Sequence, residues 1–95
     1  MAGWSFLTNH AHVLVCVARE PGMRIRDIAT AVGLTERAAT RIVGELERDG
    51  YLTRHRLGAR NFYEIHADAQ LRHPLEGPHN VGELLSALLT ERSAL

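Results

Sequence analysis

Arg37, Arg41 and Arg48 stand four and seven residues apart within Ile25 to Asp49, IRDIATAVGLTERAATRIVGELERD. On a helix turning about 100° per residue they share one stripe with Gly44. Ala39, Ile42, Val43 and Leu46 then take the opposite face, as a packed helix needs. Like charges at i and i+4 cost a free helix a few tenths of a kcal/mol. A stripe that sets Arg37 against Arg41, with its back to the core, makes sense where a polyanion lies along it. Guanidinium groups present a planar fork to phosphate oxygens and to guanine edges. A helix that carries them fits the major groove of duplex DNA. The alternative is a solvated face, with Arg41 paired to Glu45 and Arg48 to Glu47 or Asp49.

The elements around this helix must hold it outward. Ile25, Ile28, Ala29 and Val32 turn one way on a preceding helix, placed at Arg26 to Val32. Gly33 follows as the residue past a helix end, and Leu34 plugs the corner. Thr35 is a good N-cap for a helix from Glu36. Its hydroxyl and the free amides of the first turn also suit a phosphate. The spacing Ala29, Gly33-Leu34-Thr35, Ala39, Ile42-Val43, Leu46 is that of a helix-turn-helix.

Upstream, Val13 to Ala18 is apolar on every face. A strand is possible there, but the length from Asn9 to Arg19 and the turn residues Glu20-Pro21-Gly22 favour a helix, with Ser5 or Thr8 as cap. A helix apolar all round needs cover on more than one side: it is either an ordinary buried helix or one covered by a second subunit. Met23-Arg24-Ile25 is read as a brief strand.

Downstream, Asp49-Gly50 ends the arginine helix. Tyr51 to Arg56 reads as a strand, Leu57-Gly58-Ala59-Arg60-Asn61 as a loop, and Phe62 to His66 as a second strand. Arg56 and Arg60 lie at or near the tip of this hairpin. A cationic tip beside a cationic helix can grip the backbone or enter the minor groove.

Composition bounds the rest. Ninety-five residues make one domain, 45% apolar, with a formal net charge of zero. The zero charge speaks against nucleic acid, because domains that bind it are usually basic. The distribution speaks the other way. Between residues 35 and 63, Arg37, Arg41, Arg48, Arg54, Arg56 and Arg60 face Glu36, Glu45, Glu47 and Asp49. All 11 basic residues are arginine. The lone Cys16 rules out an internal disulfide and fits a reducing cytoplasm. The start has no basic region before an apolar stretch, so no secretory signal is expected, and no apolar run is long enough for a membrane.

The stretch from Gly33 to Ile65, GLTERAATRIVGELERDGYLTRHRLGARNFYEI, closely resembles winged helix-turn-helix transcriptional regulators. It looks most like the small MarR-like and ArsR-like regulators of bacteria, with the likeness good over residues 9–66. The resemblance implies a mainly α fold with a small β wing (α+β): a three-helix core, a two- or three-stranded wing and a C-terminal helix. It also implies homodimers on a palindromic double-stranded DNA operator. Carried over by position, Thr35, Glu36, Arg37, Ala38, Thr40 and Arg41 would face DNA from the recognition helix. Arg56, Arg60 and Asn61 would do so from the wing. MarR-like relatives often hold a small-molecule effector between the dimerisation helices and the DNA-binding lobe. Here Trp4, Phe6 and the tail leucines would line that space; whether an effector binds is left open.

Residues 1–66 are accordingly read as the DNA-binding unit and residues 67–95 as a connector with a last helix. Asn80 followed by Glu83 is a capping box, and Val81, Leu84, Leu85, Leu88 and Leu89 repeat at helical spacing. The preferred reading pairs this helix with the first helix of a partner subunit, using Leu14 and Val17 there. The alternative packs it on the domain's own core. Six histidines raise the question of a metal. His10 and His12 point to different sides of a helix, His73 and His79 flank a proline connector, and Cys16 has no partner. No metal or other cofactor is expected. Nothing resembles a nucleophile elbow, a phosphate-cradling glycine loop or a paired-carboxylate site, so no catalysis is expected. A winged-helix module that binds protein instead of DNA is the second functional reading.

Overall fold

The structure, a computed structural model, describes residues 3–89. It contains α1 (Asn9–Arg19), α2 (Ile25–Val32), α3 (Glu36–Arg48), β1 (Leu52–Leu57), β2 (Arg60–Ile65), a 3-10 turn (Pro74–Glu76) and α4 (Val81–Leu89). This is the α+β winged-helix architecture that the motif implies. The outer Leu52↔Ile65 and inner Leu57↔Arg60 pairs fix the register of a two-stranded antiparallel wing.

Helix α1 sits at the centre. Val13, Leu14 and Val17 are buried, and the helix packs against α2, α3, α4 and β2 of its own chain. That answers why an apolar run can be helical here: the chain supplies cover on several sides. The expected cap is not formed. Thr8 occupies the N-cap position without a side-chain bond, its carbonyl accepts from the His12 amide at 3.2 Å, and the Ser5 hydroxyl donates to the Leu7 carbonyl.

Met23-Arg24-Ile25 is not a strand. The Arg24 carbonyl accepts from the amides of Asp27 and Ile28, both at 2.9 Å. Arg24 thereby becomes the N-cap of α2, and Ile25 is drawn into the helix. The turn to α3 follows expectation. Gly33 has φ 91° and closes α2 with its amide on the Ala29 carbonyl. The half-buried Leu34 packs on the core. Burial of Ala39, Ile42, Val43 and Leu46 turns the arginine stripe of α3 outward.

The loop expected over Leu57 to Asn61 is shorter than the sequence suggested. Leu57 and Arg60 pair across the hairpin, Asn61 pairs with Arg56, and Gly58-Ala59 alone make the turn. Two-residue connections are favoured because their twist matches that of the strands. The wing is seated on the loop before α2. The Tyr63 amide donates to the Pro21 carbonyl at 3.0 Å. The Phe62 ring lies so close to Gly22 that a Cβ there would meet it at 2.7 Å.

The connector is pinned by main-chain bonds, Leu71 amide to His79 carbonyl and Val81 amide to Ala69 carbonyl among them. Asn80 and Glu83 form the reciprocal cap, each amide bonding the other's side chain at 2.9 Å. Helix α4 then packs on α1 of its own chain. Val81 and Leu85 join Leu14 and Val17 in one core. Four of the seven residues assigned to a subunit contact are therefore spent inside the chain. Leu88 is exposed, and Leu84 and Leu89 are half-buried.

Candidate nucleic-acid interface

At the start of α3 the Thr35 hydroxyl accepts from the Ala38 amide at 3.0 Å. This satisfies one of the free amides of the first turn. Glu36, Arg37 and Thr40 are exposed and Ala38 is half-buried. Among the described residues Arg37 has no hydrogen-bond or ion-pair partner. Its five N–H donors are open to a ligand.

Arg41, one turn on, is differently placed. Its Nη1 lies 3.2 Å from Glu45 Oε2, and Glu45 Oε1 lies 2.7 Å from His10 Nε2 on α1. The carboxylate is thus shared between the recognition helix and the central helix. The hydrogen bond from His10, and secondarily the Arg41 guanidinium, hold the Glu45 carboxyl below its usual range against the opposing effect of burial. Of the solvated-face alternative, the Arg41–Glu45 pair is therefore present. The other two acids are engaged elsewhere: Glu47 with Arg54 of the wing at 3.2 Å, and Asp49 with Arg72 of the connector at 2.9 Å.

Two wing arginines, Arg56 and Arg60, are held by backbone carbonyls. Arg56 Nε donates to the Gly58 carbonyl at 3.2 Å, bracing the turn. Arg60 Nη2 donates to the Gly22 carbonyl at 2.6 Å, against the loop before α2. Both side chains stay exposed. Asn61 is half-buried in β2, next but one to Tyr63, whose phenol burial pushes to higher pKa. The Arg54–Glu47 pair ties the wing to the end of α3. The contact of Gly22 with Arg60 and Phe62 of the wing, and the His10–Glu45 contact, were not singled out in the sequence. Each depends on residues far apart in the chain, and no local spacing announces it.

Each histidine has a hydrogen-bond partner: His10 with Glu45, His12 with Asn9, His55 with Glu64, His66 with Thr53, His73 with the Leu75 amide and His79 with Glu83. Among the described residues no group of three or more His, Cys, Asp or Glu is placed to hold a metal ion. Among the described residues no helix is long and apolar enough to cross a membrane. An open cleft of about 640 Å³ lies between the start of α1, the end of α3 and the connector. Phe6 and Leu84 are on its wall, with Leu46 and Tyr51. Trp4 is not on that wall; it is 69% exposed and meets Phe6 edge to face.

Comparison with known proteins agrees with this geometry. No curated protein matches the chain. The MarR family model matches residues 8–57, from the N-cap of α1 to the end of β1 and just over half of the 95 residues. The chain belongs to the MarR family of winged-helix transcription regulators.

Proposed function

We propose that this chain is a sequence-specific regulator that binds a palindromic double-stranded DNA operator as a homodimer, with α3 in the major groove. The observation that carries the reading is Arg37. It is an exposed guanidinium with no partner among the described residues, at the second position of a helix whose opposite face is buried. Arg37 takes a guanine edge by a bidentate contact. Thr35, Glu36, Ala38, Thr40 and Arg41 lie around it, and the wing sets Arg56, Arg60 and Asn61 on the backbone or minor groove. Residues 1–66 form the DNA-binding unit and residues 67–95 its dimerisation element. Because Leu14, Val17, Val81 and Leu85 are buried within the chain, Leu84, Leu88 and Leu89 carry the subunit contact. Two recognition helices then address half-sites about 34 Å apart.

The test is selection of bound duplexes from a random pool, followed by affinity against salt. Each phosphate contact contributes about −0.9 to the slope of log K against log salt. Arg37→Ala should lose about 1–3 kcal/mol on the selected duplex and relax preference at one base pair. Sedimentation of the purified chain gives its oligomeric state. Failure to enrich any duplex, with a monomer in solution, overturns the reading. It would turn attention to protein binding, which the zero net charge favours.

A further inference from the structure

The two guanidinium groups at the front of α3 are not equivalent. Arg37 is free, whereas Arg41 is bound by Glu45, which His10 in turn grips from α1. An arginine four residues before a glutamate is the weaker order for a helical pair, since the better order places the acid first. The local helix alone gives little reason for this contact to persist. What fixes it is the second bond: His10 holds one carboxylate oxygen at 2.7 Å, which leaves the other aimed at Arg41 at 3.2 Å. Glu45 has a side-chain exposure of 29% against 60% for Arg41. The acid is partly enclosed while the base faces solvent.

We propose that Glu45, anchored by His10, is a positioning residue that competes with DNA phosphate for Arg41 and so lowers sequence-independent affinity. This rests on the DNA-binding reading above. A phosphate that approaches Arg41 must displace a carboxylate already in place, and meets that carboxylate's negative charge as well. Arg37 carries no such handicap. Affinity then depends more on the contacts Arg37 makes with a base than on backbone attraction. Discrimination between sites depends on that balance, because backbone contacts carry no sequence information directly.

The test uses the full chain and a random-sequence duplex of about 24 base pairs, followed by fluorescence anisotropy over a series of salt concentrations. Glu45→Gln removes the charge and keeps an oxygen for His10. It should bind about two- to fivefold tighter, the range that a partly exposed ion pair allows, with a salt slope steeper by up to about 0.9. In an Arg41→Ala background the same change should gain less than half as much, as coupled residues require. Glu45→Ala repeats the direction, and thermal melts establish that each variant is folded. No gain from either Glu45 variant, or a gain that survives in full without Arg41, overturns the proposal while leaving DNA binding intact. No binding of the duplex by the wild type and both Glu45 variants overturns both.

Discussion

Two glycines with equally empty surroundings should respond to alanine with opposite signs. A Cβ built on Gly33 or on Gly44 meets nothing within 4 Å, so neither change creates a clash. What differs is the backbone. Gly33 closes α2 at φ 91°, in the left-handed region where an L side chain costs about 1–2 kcal/mol. Alanine also stiffens the unfolded chain, which returns about 0.4–1 kcal/mol. The net loss for Gly33→Ala is then about 1 kcal/mol. Gly44 lies inside α3, where replacing glycine by alanine gains about 0.8–1 kcal/mol. A domain of this size shifts its melting temperature by about 4–8 °C per kcal/mol. Thermal unfolding followed by circular dichroism should place the variants on either side of wild type, about 10 °C apart. A Gly44→Ala variant that melts below wild type, or a Gly33→Ala variant that melts with it, would refute the reasoning.

Three further outcomes follow from the packing and the charges. Leu85→Ala removes a side chain buried between α4 and α1 and should cost about 2–5 kcal/mol in urea unfolding. A loss below about 1 kcal/mol would mean that α4 is not part of the core. Gly22→Ala brings a methyl to 2.7 Å from the Phe62 ring; the ring must leave its rotamer at a cost of about 1 kcal/mol. Amide exchange in β2 should then quicken relative to α3, and equal protection in both would argue against the wing's seat. Glu45 and Glu83 are held below the usual carboxyl range, mainly by His10 and His79 respectively. A depressed folded value gives stability that is full above the unfolded value, near 4.3, and lost as pH falls through the folded one. Glu83→Gln should therefore lower stability near neutrality, converge with wild type at low pH, and so flatten the fall in stability below about pH 4; an unchanged acid limb would remove Glu83 from that account.

Much of the recognition unit was legible because it is written in local periodicity. The alternation of Ala39, Ile42, Val43 and Leu46 with Arg37, Arg41 and Arg48 sets which face of α3 is buried. Gly33 marks the end of α2 and Thr35 the start of α3, and Asn80 with Glu83 marks the start of α4. Each of these signals lies within one or two turns of chain, where backbone geometry leaves few choices. Met23 to Ile25 misled because three residues are too few to show a period of their own. The Arg24 carbonyl, by capping α2, settled the matter. The wing turn was read too long because Arg60 and Asn61 are polar, and cross-strand pairing with Leu57 and Arg56 overrode composition.

By itself, then, the sequence determined the kind of protein this is: three helices and a wing, with an arginine ridge facing out. It could do so because helix period, turn chemistry and strand alternation act between near neighbours. Only the tertiary structure decided how each arginine is held. Arg41 is tied through Glu45 to His10, 35 residues from that acid in the chain, and Arg60 reaches Gly22 across 38 residues. It also decided that α4 spends Val81 and Leu85 on its own α1 rather than on a neighbour. An amphipathic helix encodes which face must be covered, while what covers it depends on where the rest of the chain has gone.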